Sequence, residues 1–453
     1  MTERIAIIGC GAAGATAAMQ ARKYNRNAEI TVFNLENYSQ YSRCGLPYTI
    51  SKKVKEFEDL ILMPFDNWAA LKIDVRLATT VTSIDAKKKA ISYEGADGSG
   101  NLEYDSLIFA TGASNSNPPL KGLDKDRIYG LRTIDEAKAL DAEASRCKNL
   151  IVIGGGLIGM ETAEAFVERG CNVTVVEFLP YLLPTMVDQD FGEIIAEHCS
   201  EHGLKIFTNT AAMEILGDKS PTAVVVKSRE TEETKELKAD AVLIATGVRA
   251  NTQLAQSIGC EIGPMRGIKV DDKMMTNIPN VYACGDCAEH VEYITRKPMP
   301  GGLGTIAVRQ ARVAGINAAG GDITFPGIVG AKVTKMFGLE IASTGMTDDL
   351  AKRYEIDVIK GSIKGSTKPP YFQGGKDLKV KTYYDKKTGK LVGGQILGLE
   401  DAAMRINVIT MGIQQNIDAA EFFDFENCYA PAICDTWDPL VESASVARRR
   451  LKI

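Results

Sequence analysis

One pattern occurs twice in this sequence, and it restricts the chain more than anything else in it: a short apolar strand, a glycine turn and a helix. The first copy runs Ile5-Ala6-Ile7-Ile8 into Gly9-Cys10-Gly11-Ala12-Ala13-Gly14, followed from Ala15 to Tyr24 by a stretch rich in helix formers. In the second, Ile151-Val152-Ile153 enters Gly154-Gly155-Gly156-Leu157-Ile158-Gly159, with a helix expected through Val167. The glycines let the backbone turn sharply, approach a pyrophosphate and pack helix against strand, while free N–H groups at the helix start face the anion. A single G-x-G-x-x-G is a weak signal, but each copy here has the right flanks and a second strand behind it, Ile30 to Phe33 and Val173 to Val176. Two dinucleotide sites are therefore expected. Gly9, Gly11, Ala12, Ala13 and Gly14 would line the first, and Gly154, Gly156, Leu157, Ile158 and Gly159 the second.

The residue ending the second strand reads the nucleotide ribose. At the second site it is Glu177, whose carboxylate suits ribose hydroxyls. With no arginine beside it in the sequence, NADH is favoured over NADPH, because a 2′-phosphate would be repelled. At the first site the position is Asn34, an amide that can still hydrogen-bond a ribose, so FAD is the expected occupant. Two further runs, ending Ala110-Thr111-Gly112 and Ala245-Thr246-Gly247, read as buried strands at which the chain leaves a nucleotide domain. In Val281-Tyr282-Ala283-Cys284-Gly285-Asp286-Cys287-Ala288 a strand ends at Gly-Asp, placing the Asp286 carboxylate to accept a hydroxyl of the flavin's sugar chain.

Composition removes other classes. The 453 residues exceed what one core organises, so two or three domains are expected. A net charge of −5 lacks the basic excess of a nucleic-acid binder. Apolar runs such as Ile151 to Ile158 are too short to span a bilayer, and the N-terminus leads straight into a strand, so no membrane and a cytoplasmic location are expected. The ten cysteines are scattered as free thiols in a reducing compartment would be. Cys284 and Cys287 form a C-x-x-C without a second pair at zinc-ribbon spacing, and no metal is expected.

With these motifs, together with Lys332-Val333-Thr334-Lys335-Met336-Phe337-Gly338, the chain resembles the pyridine nucleotide-disulfide oxidoreductase family over essentially its whole length. The resemblance implies an α/β fold of two Rossmann-like dinucleotide-binding domains plus a C-terminal α+β dimerisation domain. Residues 1–115 and 249–325 would bind FAD, 116–248 would bind NAD(P)H, and 326–453 would form a homodimer in which one subunit completes the other's active site.

The branch is indicated by Ser42-Arg43-Cys44-Gly45-Leu46-Pro47-Tyr48. Cys44 precedes an expected helix, with Pro47 suited to the first turn, and a thiolate there would gain from the helix dipole. Two-cysteine reductases of the family place a second cysteine where this chain has Thr49, so no internal disulfide forms at this site. Oxidation would be stored as a sulfenic acid, or as a mixed disulfide or persulfide with substrate. Family members that act as peroxidases and water-forming NADH oxidases carry a histidine in the first glycine turn; this chain has Ala12 there, and its three histidines lie elsewhere. The better resemblance is to coenzyme A-disulfide and CoA-persulfide or polysulfide reductases. It implies Tyr429, in Tyr429-Ala430-Pro431, as an acid supplied by the partner subunit, with Tyr371 as a looser second candidate. Gln20 and Arg22 (with Lys23) and Arg43 would contact a sulfur substrate, with coenzyme A as a further ligand; Arg22 and Lys23 also read as ordinary solvated helix charges. Cys434 is a candidate relay thiol, though a packing role suits it better. The alternatives are an NADH oxidase reducing oxygen at the flavin, an electron-transfer flavoprotein for a protein acceptor, and a redox-sensing binding protein.

Overall fold

The computed structural model describes residues 3–96, 98–299 and 301–452, which form two compact units. The first comprises Met1–Ser116, Arg132–Lys138 and Gly247–Ile328. Its centre is a five-stranded sheet in the order Val281–Ala283, Ser106–Phe109, Arg4–Ile8, Glu29–Phe33, Ile73–Arg76, every neighbouring pair parallel. The two-residue period of a strand sorts its side chains onto two faces. Ile5 and Ile7 join a core with Ala17, Ala18, Ala311 and Ala314, whereas Ala6 and Ile8 face Phe33, Val81, Ile91 and Phe109. The first core packs the sheet on helices Ala12–Tyr24 and Gly304–Ala318; the second lies toward an antiparallel sheet of Thr79–Asp85, Ala90–Gly95 and Gly98–Glu103. Alanines on the first helix and Gly315 on the second let the two backbones come close, for a Cβ at Gly315 would overlap the Ala17 carbonyl. The first helix begins at Ala12, inside the glycine turn, rather than at Ala15 as its composition suggests.

Unit 2 comprises Asn117–Leu131, Ala139–Thr246 and Val329–Ile453. It repeats the parallel arrangement in the order Lys205–Phe207, Asn172–Val176, Asn149–Ile153, Ala241–Ile244, Ile128–Tyr129. A three-stranded antiparallel sheet of Thr210–Leu216, Ala223–Ser228 and Thr234–Lys238 shares its core through Ile215, Val224 and Val226. The C-terminal part adds an antiparallel five-stranded sheet in the order Lys332–Met336, Leu339–Gly345, Leu391–Gly398, Asp377–Asp385, Val358–Ser366, with helices Ile406–Gln414 and Pro439–Leu451. The expected α/β class, with two Rossmann-like sheets and a C-terminal α+β part, is what forms. None of the described helices is long and apolar enough to cross a membrane.

A buried polar cluster ties the two halves of unit 2 together. Asp188 precedes helix Gln189–Glu201; its carboxylate accepts from Lys381 Nζ at 2.8 Å and from the Tyr383 hydroxyl, and its backbone N–H donates to Gln395 Oε1 at 3.0 Å. Lys381 and Asp188 are almost wholly buried. Burial opposes the charge on Asp188, but the bonds from Lys381 and Tyr383 prevail and hold its carboxyl below the usual range. Removing the cation strands that carboxylate, so Lys381→Met is expected to cost about 3 kcal/mol or more at neutral pH. A depressed carboxyl stabilises the fold above its unfolded pKa and loses that contribution as pH falls through the folded one, so the gap between parent and variant closes below about pH 4. Urea unfolding at pH 7 and pH 3.5 checks both statements; a gap that stays constant contradicts them.

Candidate active site

In unit 1 the glycine turn is forced by contact with the neighbouring strand. Gly9 has φ +108°, and a Cβ there would overlap the Ala110 carbonyl; a Cβ on Gly14 would overlap the Gly9 carbonyl. Gly11 faces open space, as does Gly112 at φ +64°. Ala12 and Ala13 begin the helix between Gly11 and Gly14. These positions form a cradle that side chains would fill, which suits the pyrophosphate of a dinucleotide.

Asn34 is buried and its amide is spent inside the protein. Its Oδ1 accepts from the Cys10 backbone N–H at 3.1 Å, and its Nδ2 donates to the carbonyls of Glu36 (3.2 Å) and Tyr38 (2.8 Å). Glu177 plays the matching part in unit 2: its carboxylate accepts from Gly155 N at 2.5 Å and Leu179 N at 2.7 Å. At both sites the side chain ending the second strand pins the middle residue of the G-x-G. Gly154, at φ +112°, and Gly159 repeat the close approach of Gly9 and Gly14, here against Ala245, while Gly156 opens onto space ahead of Leu157 and Ile158.

The two Ala-Thr-Gly runs are joined in unit 1, where Ala113–Asn115 pairs antiparallel with Val248–Ala250 just beyond Gly112 and Gly247. The Thr111 hydroxyl donates to the Asn251 carbonyl at 2.6 Å. Asp286 sits in the 3-10 turn Gly285–Cys287, capped by Ala288, and its carboxylate meets Arg132 Nη2 at 3.1 Å. Sequence reading missed Arg132, which is remote in the chain and belongs to no motif. Its Nε is buried without a hydrogen-bond partner beside Asp286, an orphaned donor from which a ligand's oxygen would accept. With the open glycine cradle, this makes the unit 1 residues fit FAD.

A second overlooked group stands behind Gly285. The Gly285 N–H donates to Gln310 Oε1 at 3.0 Å, which turns the Gln310 NH₂ toward His290 Nδ1 at 3.1 Å. His290 is thereby the Nε2–H tautomer, and burial pushes its pKa down, so it is neutral. Cys284 and Cys287 are fully buried, and Cys287 Sγ donates to the Phe109 and Cys284 carbonyls.

Cys44 is exposed in a 3-10 turn, Arg43–Gly45, and Pro47 occupies the first turn of helix Leu46–Ile50. Five residues carry little macrodipole, so the expected dipole stabilisation of a Cys44 thiolate is small. The Thr49 hydroxyl donates to the Gly45 carbonyl at 3.3 Å. Arg43 reaches away from the turn: its guanidinium binds Glu36 at 2.5 Å and the Arg132 carbonyl at 2.5 Å, and lies 4.9 Å from the Tyr41 ring centroid. Arg22 spends its donors on the carbonyls of Leu71, Lys72 and Arg26, which ties the helix to the following segment, while Gln20 is half-buried on the same helix.

The two tyrosines come together. Tyr371 and Tyr429, far apart in sequence, have hydroxyls 2.6 Å apart, and both rings are exposed. That hydrogen bond pushes the Tyr371 hydroxyl's pKa up. Cys434, buried nearby in sequence, donates to the Cys428 carbonyl at 3.1 Å.

This chain belongs to the pyridine nucleotide-disulphide oxidoreductases: residues 3–311 match the family's main domain and residues 332–439 its dimerisation domain. It is thus an oxidoreductase of the FAD- and NAD(P)H-using class whose cradles are described above. Among curated relatives, an enzyme of Methanocaldococcus jannaschii named NADH oxidase is 38% identical, with 99% of both chains covered. A CoA-dependent NAD(P)H sulfur oxidoreductase of Pyrococcus abyssi is 32% identical, with 98% of both covered. The solved structure of an NAD-dependent persulfide reductase from A. fulgidus superposes with a TM-score of 0.94 at 30% identity, covering 99% of this chain and 83% of that one.

Eight of the ten cysteines are buried, and burial pushes the thiols of Cys10, Cys147 and Cys199 up to about 12. A thiol raised that far stays protonated and unreactive through pH 9. Brief alkylation of the native protein at pH 7 to 9, with peptide mapping by mass, should therefore label Cys44 well before any of the eight. Equal labelling of Cys10 or Cys199 would contradict this picture.

Proposed function

We propose that the chain is an NAD(P)H-dependent reductase of a sulfur substrate, either CoA disulfide, CoA persulfide, polysulfide or sulfur, with Cys44 as its redox thiol. The observation that carries this reading is an exposed cysteine on a tight turn with Thr49, not a second cysteine, five residues further on. The names of the Pyrococcus abyssi and A. fulgidus relatives point the same way.

Bound FAD would pass two electrons from the nicotinamide to sulfur held at Cys44. The protein's own part is exchange at sulfur. The Cys44 thiolate attacks one sulfur of CoA disulfide, or the outer sulfur of a persulfide; a Cys44–CoA disulfide or a Cys44 persulfide forms, and the departing thiolate takes a proton. We assign that proton to the Tyr371–Tyr429 pair of the partner subunit, where one hydroxyl donates while the other keeps it aimed. Gln20 and Arg43 are the proposed substrate contacts, Arg43 through the turn it braces. In this reading residues 1–115 and 249–325 hold FAD, 116–248 hold NAD(P)H, and 326–453 form the homodimer interface.

A second reading, an NADH oxidase reducing oxygen at the flavin, draws on the name of the Methanocaldococcus jannaschii relative. The two separate on Cys44→Ser. Under sulfur reduction the variant should lose anaerobic CoA disulfide and polysulfide turnover by about a thousandfold, while flavin reduction by NADH persists. Tyr429→Phe should lower turnover about tenfold or more and steepen its dependence on the leaving thiol's acidity. If Cys44→Ser keeps parent-level anaerobic turnover with every sulfur acceptor, the proposal fails.

A further inference from the structure

In the unit 2 nucleotide sheet Glu177 directly follows strand Asn172–Val176, and an acid there normally rejects the 2′-phosphate of NADPH. The sequence around Glu177 holds no arginine. The fold supplies one from a distant hairpin.

Arg229 follows strand Ala223–Ser228, at the turn leading to Thr234–Lys238. Its guanidinium carbon lies 4.0 Å from the ring centroid of Phe178, the residue after Glu177, and its Nη1 donates to the Phe178 carbonyl at 3.0 Å. Asn209 holds the arrangement from below. Left-handed at φ +49°, it donates its N–H to the Leu179 carbonyl, accepts the Arg229 N–H on its own carbonyl, both at 2.8 Å, and meets Nη1 with Oδ1 at 3.3 Å. Asn209 thus ties the loop after Glu177 to the base of Arg229, so the cation's place is built and not incidental.

The charges agree with that placement. Both Glu177 oxygens accept backbone N–H groups, from Gly155 and Leu179, which turns the carboxylate back into the glycine turn and offsets part of its charge. No carboxylate pairs with Arg229 among the described residues, and the neighbouring Glu232 is taken by Lys227. Nη1 is spent on Phe178 and Asn209, which leaves Nη2 and Nε on an exposed guanidinium beside the ribose-reading position. A planar fork of donors next to that ribose is the arrangement that accommodates a phosphate.

We infer that Arg229 is a specificity-determining residue that receives the 2′-phosphate of NADPH, so that the chain uses NADPH as well as NADH. This rests on the reading of unit 2 as the nicotinamide nucleotide site. It also replaces the sequence expectation that NADPH is disfavoured for want of an arginine.

Two measurements on the full-length holoenzyme test it. In calorimetry, 2′-phospho-ADP-ribose should bind the parent within about threefold of ADP-ribose. Arg229→Ala should weaken the phosphorylated probe relative to ADP-ribose by about tenfold and Arg229→Glu by more, whereas Arg229→Lys recovers part of the loss. In anaerobic flavin reduction, the ratio of kcat/KM for NADPH to that for NADH should fall by the same factor, and Lys235→Ala on the same hairpin should leave it unchanged. A probe ratio and a kinetic ratio that both stay within twofold in Arg229→Ala and Arg229→Glu overturn the inference. If neither nucleotide reduces the flavin while the probe ratio still shifts, the oxidoreductase reading fails and the Arg229 site stands.

Discussion

Everything in both nucleotide units depends on one close approach, the backbone of a glycine turn lying directly on the backbone of an Ala-Thr-Gly strand. Gly9 on Ala110 and Gly154 on Ala245 leave no room for a Cβ, and Gly14 and Gly159 close the same contact from the helix side. Bringing main chain against main chain sets the pitch of helix on sheet. It also carries the chain out of the sheet at a fixed point, so that Ala113–Asn115 and Val248–Ala250 can pair as a ribbon.

The chemistry depends instead on what the fold withholds. Burial pushes most of the cysteines toward a protonated, inert state, which leaves Cys44 and Cys428 as the two exposed thiols. The helix behind that turn is too short to activate the thiol by its dipole. Charge near the turn is held in place by the Glu36–Arg43–Arg132–Asp286 chain of contacts, which runs from the loop after the second strand to the Gly-Asp turn. In the proposed cycle, reactivity comes from exposure and a prepared proton donor.

Motifs with a local cause were legible in the sequence. The glycine turns, the buried strands and the Cys44 turn each follow from residue type and spacing, and Tyr371 and Tyr429, named on resemblance alone, do meet at their hydroxyls. Residues whose part depends on a fold-made neighbour were not. Nothing near Arg132, Arg229 or Gln310 in the chain announces Asp286, Phe178 or His290 as a partner, since each pair is assembled across the sheet or from a separate hairpin. Arg22 shows the converse. It carries the charge a substrate contact needs, yet three backbone carbonyls take its donors, a competition no pattern of residues reveals.

The central claim is that Cys44 holds a two-electron oxidation as a disulfide with substrate sulfur, discharged when an electron pair arrives. The direct test is an anaerobic NADH titration of protein treated with CoA disulfide and freed of excess reagent, followed by flavin absorbance and released thiol. The account predicts two equivalents of NADH per subunit, the first releasing one CoA thiol before the flavin bleaches, and one equivalent with no thiol for Cys44→Ser. A parent protein that takes up a single equivalent and releases no CoA would contradict it.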